Sequence, residues 1–262
     1  MKIEFFKYQG TGNDFIILDN REKIHDNITS KQINKMCDRR FGIGADGLML
    51  LNRKEGYDFE MEYYNSDGKI GSMCGNGGRC IVKFAARLGI KKKEYSFFAS
   101  DGAHQAEIDL DKEVSLKMND VNNVVFSMDA YILDTGSPHY VTNVSDLETL
   151  NVKEEGDKIR NRKNFVEKGI NVNFIKKLSE DKIYVRTYER GVEDETYSCG
   201  TGVTAAALVS AHNDNGFNRV EVKTKGGNLS VEFDKISDKE FKDIWLSGPA
   251  EFVFSGTIDL KD

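Results

Sequence analysis

The stretch from Glu195 to Ala207, Glu-Thr-Tyr-Ser-Cys-Gly-Thr-Gly-Val-Thr-Ala-Ala-Ala, decides the fold, because a polar turn places one cysteine at the start of an apolar run. Such a run after a glycine-rich turn predicts a helix. Residues 73–85 repeat the pattern as Met-Cys-Gly-Asn-Gly-Gly-Arg-Cys-Ile-Val-Lys-Phe-Ala. Cys199 and Cys74 are 199 − 74 = 125 residues apart, so the sequence indicates a duplication.

Other landmarks recur at nearly the same spacing. They are Thr11-Gly12-Asn13 with Thr135-Gly136-Ser137 (135 − 11 = 124), Tyr64-Asn65 with Tyr188-Glu189 (188 − 64 = 124), and Gly102 with Gly227 (227 − 102 = 125). We therefore predict two homologous halves, residues 1–119 with 250–262 and residues 120–249, each containing one of these cysteines. The strand pattern of Phe252 to Ile258 is expected to cross back to the first half.

Alternating strand patterns with few long helices favour an α/β fold without a doubly wound parallel sheet. We predict two pseudo-symmetric halves, each a curled mixed β-sheet or barrel around a central helix. The predicted helices are Ser30 to Arg40, the run after Cys74 as far as Leu88, and Val203 to Ala211. The last should be nearly buried all round, whereas Arg79, Lys83 and Arg87 predict a polar stripe on the helix after Cys74.

Composition excludes several classes of protein. The chain has 262 residues, 39% of them hydrophobic and 31% charged, which is typical of a globular protein. A net charge of −6 argues against a nucleic-acid partner. The sequence contains no apolar run of about 18 residues for a membrane helix, and its first residues lack a signal-peptide pattern. We therefore expect a cytoplasmic protein with no membrane partner.

The four cysteines are Cys37, Cys74, Cys80 and Cys199, and no two of them form a C-x-x-C pair. This spacing argues against structural zinc and thioredoxin-like sites, so no metal site is predicted. Cys37 and Cys80 fall within helical patterns and are expected in the core. A redox or metal-binding protein stays as an alternative, and it would show bound zinc or a functional disulfide.

Two cysteines at helix starts suit proton transfer at carbon. The positive end of a helix lowers the pKa of a thiol, which makes the thiolate a usable base. The Gly-x-Gly after each cysteine lets backbone amides approach an anion such as a carboxylate. One thiolate and one thiol on opposite faces of an α-carbon would invert that carbon without a cofactor.

The sequence closely resembles the diaminopimelate epimerase family over nearly its full length. The resemblance rests on Gly10-Thr-Gly-Asn-Asp-Phe, Phe41-Gly-Ile-Gly-Ala-Asp, Asn65-Ser-Asp-Gly, Met73-Cys-Gly-Asn-Gly-Gly-Arg-Cys, Ser137-Pro-His, Tyr188-Glu-Arg-Gly and Ser198-Cys-Gly-Thr-Gly. It implies a cofactor-independent interconversion of LL- and meso-diaminopimelate, a cleft between two similar halves, and a homodimer.

The resemblance also implies site residues. Cys74 and Cys199 would be the proton donor and acceptor. Gly75-Asn76 and Gly200-Thr201 would hold the reacting carboxylate, and His139 and Glu189 would adjust the pKa values of the thiols. The remaining substrate contacts would be Asn13, Asn65, Asn171, Glu189 and Arg190.

Three positions depart from the family pattern. Ser137 stands where some members have a substrate-contacting Asn, and Gly47 stands where some have a Gln. Phe254 occupies the apparent position of a Tyr at the dimer interface. A related racemase acting on histidine or proline stays as the nearest alternative, since it would use the same cysteine pair. A phenazine-biosynthesis-type isomerase would share the fold, but its pattern lacks that pair.

Overall fold

A computed structural model describes residues 2–71, 73–108, 113–127, 129–212 and 214–260. The chain divides into two compact units. The N-terminal unit comprises Met1–Leu116 and Pro249–Asp262, and the C-terminal unit comprises Lys117–Gly248. Each unit contains a mixed β-sheet and two helices within its described residues.

The strands of the N-terminal unit are β1 (Lys2–Gly10), β2 (Asn13–Asp19), β3 (Gly47–Asn52), β4 (Phe59–Asn65), β5 (Glu94–Ala99), β6 (Gly102–Ile108), β7 (Val114–Lys117, whose last residue begins the other unit) and β17 (Glu251–Asp259). Its helices are α1 (Ser30–Cys37) and α2 (Gly75–Arg87). β1 pairs antiparallel with both β17 and β2, and β2 pairs parallel with β3. The C-terminal strand thus completes the sheet of the first unit.

The strands of the C-terminal unit are β8 (Val124–Ser127), β9 (Ala130–Asp134), β10 (Pro138–Asn143), β11 (Asn171–Ser179), β12 (Lys182–Glu189), β13 (Asp194–Thr196), β14 (Gly216–Thr224), β15 (Gly227–Ser237) and β16 (Glu240–Gly248). Its helices are α3 (Val152–Arg160) and α4 (Gly200–Val209). β9 pairs antiparallel with β10, and β10 pairs parallel with β11. These pairings repeat those of β1, β2 and β3.

The register of the strands repeats as well as their order. In the N-terminal unit Phe15 lies opposite Gly47, and Met49 lies opposite Tyr63. In the C-terminal unit the corresponding pairs are His139 with Asn171 and Asn173 with Thr187. Each of these residues in the C-terminal unit comes 124 positions after its counterpart in the N-terminal unit, since 139 − 15, 171 − 47, 173 − 49 and 187 − 63 all equal 124. The two units are therefore structural copies, residue by residue, around their central strands.

In each unit one helix contacts most of the strands. Helix α2 contacts β1, β2, β3, β4 and β6, and α4 contacts β9, β10, β11, β12, β14, β15 and β16. Every residue of α4 from Gly202 to Leu208 is buried, which confirms the prediction of a helix nearly buried all round. Because these residues are shielded from solvent on every side, α4 needs no polar face.

Three helices differ from the sequence prediction. Helix α4 begins at Gly200 and ends at Val209, whereas the predicted bounds were Val203 and Ala211. Helix α1 ends at Cys37 instead of Arg40, because Asp38 is extended and its carboxylate accepts hydrogen bonds from the Arg40 and Phe41 amides. Helix α3 was not predicted. It begins at the N-cap Asn151, whose side chain accepts from the Glu154 amide, and only three of its residues are buried. Because so few positions of α3 are buried, its sequence shows only a weak helical periodicity of apolar residues, and the helix was missed.

Candidate active site

Each of the two cysteines is the N-cap residue of a central helix. Cys74 precedes α2 with φ −102° and ψ 128°, and Cys199 precedes α4 with φ −115° and ψ 114°. Neither side chain makes a capping hydrogen bond to its own helix. Each sulfur is therefore attached at the positive end of a helix without being used to cap it.

The amide of Asn13 faces the sulfur of Cys74. Cys74 Sγ lies 3.4 Å from Asn13 Oδ1, and Asn13 Nδ2 donates to Asp46 Oδ2 at 2.6 Å. Because a carboxylate oxygen accepts hydrogen bonds, the contact with Asp46 fixes which end of the Asn13 amide points to the sulfur. An amide oxygen next to Cys74 favours its thiol form, which can donate to that oxygen.

Asn76, in the first turn of α2, is also held in one orientation. Its Oδ1 accepts from Arg79 Nη2 at 2.8 Å and from Thr11 Oγ1 at 3.2 Å, and its Nδ2 donates to Asn13 Oδ1 at 3.4 Å. Arg79 is fully buried, which corrects the prediction that it forms part of a polar stripe. Burial lowers the pKa of its guanidinium from the usual range. Arg79 donates to Asn76 Oδ1 and to the Gly75 carbonyl, and these hydrogen bonds support the first turn of α2.

An ionic cluster fixes the loop that contains Asp46. Asp14 lies 2.7 Å from Lys7 Nζ and accepts two hydrogen bonds from Arg39, which also bonds Asp46 Oδ1 at 2.7 Å. Burial raises the pKa of Asp14, but the hydrogen bonds from Arg39 and Lys7 outweigh that effect and hold the pKa at about 2. Asp14 thus stays ionised and secures the loop that orients Asn13.

The sulfur of Cys199 has a different neighbour. Cys199 Sγ lies 3.5 Å from the hydroxyl of Thr201, a group that can donate a hydrogen bond as well as accept one. The backbone carbonyl of Thr201 accepts from Thr135 Oγ1 at 2.9 Å, which ties the first turn of α4 to the turn before β10. A hydroxyl donor beside Cys199 favours its thiolate form, whereas the amide oxygen beside Cys74 favours its thiol form.

His139 is fully buried at the start of β10. Burial, and then the positive charge of Arg190, lower the pKa of this imidazole to about 3. His139 is consequently uncharged near neutral pH.

Asn171, Ser137 and Arg190 form a hydrogen-bonded cluster in the C-terminal unit. Asn171 Nδ2 donates to Ser137 Oγ at 2.8 Å and to Pro138 O at 3.1 Å, and its Oδ1 accepts from the Arg190 amide at 2.9 Å. Arg190 Nη2 also reaches Ser137 Oγ at 3.4 Å. A hydroxyl that accepts twice can still donate once, so Ser137 can offer its hydrogen to a carboxylate.

The structure explains the glycine at position 47. A Cβ on Gly47 would lie 2.5 Å from both Tyr63 Cε2 and Tyr64 O. The Tyr63 ring fills the space that a longer side chain at position 47 would need. Asn65, opposite Gly47 in the β3–β4 register, is exposed at the end of β4.

The remaining two cysteines lie in the core. Cys37 and Cys80 are buried, and burial raises the pKa of each thiol to about 12. This confirms the prediction that both are core residues. Such thiols stay protonated and are poor nucleophiles or bases.

The predicted residues other than Asn65 form two groups, one in each unit. Cys74, Gly75, Asn76 and Asn13 meet at the start of α2, whereas Cys199, Gly200 and Thr201 form the start of α4, with His139, Asn171, Glu189 and Arg190 on strands β10 to β12 or just after them. Sequence reasoning missed Asp46 and Arg79, which bond Asn13 and Asn76, and it missed the hydrogen bonds of Asn173 with His139 and Thr187. The 124-residue spacing pairs Asn173 with Met49, which is apolar. A polar residue at a position that is apolar in the other copy is a signal that could have identified Asn173.

The described residues contain no group of three or more His, Cys, Asp or Glu side chains arranged to hold a metal ion. Over the same part of the chain, no helix combines the length and apolar character that a membrane crossing requires.

Comparison with known proteins agrees with this arrangement. The sequence model of the family described as diaminopimelate epimerase matches residues 5–124 and 131–253. A diaminopimelate epimerase of Flavobacterium psychrophilum is 48% identical over 257 residues, covering 98% of this chain and 100% of that protein. One from Chlorobaculum tepidum is 44% identical over 261 residues, covering 96% and 99% of the two chains.

A solved structure shares the fold. A phenazine biosynthesis protein of the PhzF family from Bacillus anthracis matches with a TM-score of 0.73 at 14% sequence identity, covering 99% of this chain and 100% of that one. This likeness concerns the fold alone and confirms the predicted α/β class with two pseudo-symmetric halves. The family model and the full-length relatives confirm the resemblance seen in the sequence: the chain belongs to the diaminopimelate epimerase family, and its activity is an isomerase activity, an epimerisation.

Proposed function

We propose that this protein inverts one α-carbon of LL-diaminopimelate to give meso-diaminopimelate, a step of lysine and peptidoglycan precursor biosynthesis. The observation that supports this most strongly is the pair of cysteines at the N-caps of equivalent helices in a duplicated fold. The two thiols would act on a single α-carbon.

The proton transfers follow from the neighbours of each sulfur. In the LL-to-meso direction, the thiolate of Cys199 removes the α-proton: the C–H bond breaks and an S–H bond forms. Cys74 then delivers its thiol proton to the opposite face of the carbon and is left as the thiolate. The amide oxygen of Asn13 beside Cys74 and the hydroxyl of Thr201 beside Cys199 favour this starting state. In the reverse direction the roles exchange.

The helix starts would also bind the substrate carboxylate. When the α-proton leaves, negative charge spreads onto this carboxylate, and donors that already point at it stabilise the transition state. The amides of Gly75-Asn76 and Gly200-Thr201 lie in the first turns of α2 and α4, where backbone N–H groups point outward. Because proton transfer and charge stabilisation suffice for inversion, the reaction needs no cofactor.

The other end of the substrate would be bound by polar residues around Ser137. Arg190 supplies a positive charge, Ser137 a hydroxyl donor and Glu189 a carboxylate, which suit a second amino-acid group. Asn13, Asn65 and Asn171 complete the proposed contacts. His139 and Glu189 are proposed to influence the thiols, with His139 acting in its uncharged form.

The first test is substrate choice. The purified protein under reducing conditions should invert LL-diaminopimelate, and should invert L-lysine at least about 10³-fold more slowly, because lysine lacks the second carboxylate. Chiral chromatography of timed samples measures both rates. Inversion of histidine or proline in place of diaminopimelate would assign the related racemase activity and contradict the proposal.

The second test concerns the two cysteines. Cys74→Ala and Cys199→Ala should each lower kcat at least about 10³-fold, since each removes one partner of a proton transfer. Thermal unfolding should stay cooperative in both variants. Cys37→Ala is the matched control: it should keep kcat within about twofold of the original and lose about 1 kcal/mol of stability. If either active-site variant kept full turnover, the two-thiol scheme would be wrong.

We further propose that the protein is a cytoplasmic homodimer. Phe252, Val253 and Phe254 on β17 are 39%, 51% and 44% exposed, and together they form an apolar surface that a second copy could cover. Phe254 also packs edge-on against Phe5 at 5.8 Å. A cytoplasmic location fits a mechanism that needs reduced thiols.

Sedimentation velocity tests the dimer. The protein should sediment as a dimer at micromolar concentration, and Phe254→Lys should shift it towards monomer, because a lysine charge cannot be buried unpaired at the interface. Phe217→Lys, at an exposed position on β14, is the control and should leave the dimer intact. A wild-type protein that is monomeric under these conditions would contradict the proposal.

A further inference from the structure

The first turn of α4 packs against two polar side chains, Asn173 and His139. A Cβ on Gly202 would lie 2.3 Å from Asn173 Oδ1 and 3.4 Å from His139 Cε1, so only glycine allows the turn to sit this close. This glycine belongs to the Gly-x-Gly pattern after Cys199. In the C-terminal unit, the missing side chain of Gly202 makes room for Asn173 and His139 beneath the helix start. It also lets a ligand approach the backbone closely.

The other copy of the fold has an apolar layer at this place. A Cβ on Gly77, the equivalent of Gly202, would meet Met49 Sδ at 3.3 Å, Met61 Cε at 3.4 Å and Phe15 Cε1 at 3.5 Å. The strand registers make Phe15 the counterpart of His139 and Met49 the counterpart of Asn173. The duplicated backbone is thus the same, but the side chains beneath the two helix starts differ in polarity.

Hydrogen bonds determine the orientation of the Asn173 amide. Its Nδ2 lies 3.3 Å from Tyr140 O and 3.0 Å from His139 Nδ1, and its Oδ1 lies 2.9 Å from Thr187 Oγ1. A backbone carbonyl can only accept, so the atom facing Tyr140 must be the nitrogen. The second hydrogen of that nitrogen then points at His139 Nδ1, which must accept it.

This contact sets the tautomer of the imidazole. An uncharged histidine whose Nδ1 accepts a hydrogen bond carries its proton on Nε2. His139 is fully buried, and within the residues that the structure describes its Nε2 has no hydrogen-bond partner. Burial and the charge of Arg190 keep the ring uncharged, with a pKa of about 3.

A buried N–H group without a hydrogen-bond partner destabilises the folded state, and such groups in native structures usually have a function. The cost is avoidable at this position, because the N-terminal unit fills the equivalent place with Phe15 and Met49. The ring carbon bonded to Nε2, Cε1, would lie 3.4 Å from a Cβ on Gly202, so this part of the imidazole is next to the helix start that follows Cys199. The proposed reaction concentrates negative charge at that helix start.

We propose that Asn173 is a positioning residue: it fixes His139 with its proton on Nε2, and this N–H donates a hydrogen bond to negative charge bound at the start of α4. The proposal rests on the epimerase function proposed above and assigns it a further residue. The start of α2 has Phe15 in place of this donor. The two thiols are therefore unequal, and the additional donor favours negative charge on the side of Cys199.

The tautomer can be measured without any assay of activity. The protein contains four histidines, and labelling them with ¹⁵N lets long-range proton–nitrogen NMR spectra distinguish the two ring nitrogens of each. His139→Gln identifies the signals of His139 by their loss. We expect His139 to show a protonated Nε2 and an unprotonated Nδ1 at neutral pH. Protonation at Nδ1, or at both nitrogens, would overturn the proposal even if the enzyme epimerises diaminopimelate.

Asn173→Asp tests the positioning role with an almost isosteric side chain. A carboxylate cannot donate to Nδ1, so the proton should move from Nε2 to Nδ1 in the NMR spectrum. Loss of the donor should lower kcat at least about tenfold and change KM less than about threefold. Met49→Leu is the matched control at the equivalent position of the other unit. It should leave the tautomer unchanged and kcat within about twofold.

A double variant shows whether Asn173 acts through His139. If it does, His139→Gln combined with Asn173→Asp should have a kcat within about twofold of His139→Gln alone. Multiplicative losses would instead mean that Asn173 acts independently, which would overturn the proposal. If Asn173→Asp fails to fold, the spectrum of the wild-type protein still decides the tautomer.

Discussion

The attachment of a cysteine to the positive end of a buried helix is the interaction on which the site depends. Cys74 and Cys199 are both N-cap residues with extended backbone, and neither sulfur caps its own helix. This arrangement requires a helix whose first turn is held rigidly. Arg79 and Asn76 provide that support below α2, and the contact between Thr135 and the Thr201 carbonyl provides it at α4. The two sheets position these helices, and the rest of each unit buries them.

Duplication gives two equivalent thiols, yet an inversion needs one to start as an acid and the other as a base. The differences between the copies supply this asymmetry. Cys74 faces the amide oxygen of Asn13, whose orientation is fixed by Asp46, whereas Cys199 faces the hydroxyl of Thr201. Beneath the helix starts, one copy is apolar and the other has hydrogen-bonded polar groups. In the proposed mechanism, the duplicated backbone provides two equivalent thiols, and a few side chains would assign their protonation states.

The sequence was sufficient to predict the duplication, the helix after each cysteine and the core positions of Cys37 and Cys80, because each follows from spacing or local pattern. It was insufficient where burial depends on partners distant in the chain. Arg79 has the sequence context of an exposed residue, but hydrogen bonds to Asn76, Thr11 and the Pro249 carbonyl allow it to be buried. Asn173 lies 34 residues from His139, so only the parallel pairing of β10 and β11 reveals their contact.

The most direct test of the two-thiol account is isotope incorporation at the inverted carbon when LL-diaminopimelate reacts in deuterated water. We expect the meso product to contain deuterium at that carbon from the earliest turnovers, while the remaining LL substrate keeps its original proton. This result follows if one thiol removes the proton and a different thiol, already exchanged with solvent, delivers the new one. Transfer of the substrate's own proton into the meso product would show that a single base serves both faces, and it would contradict the account.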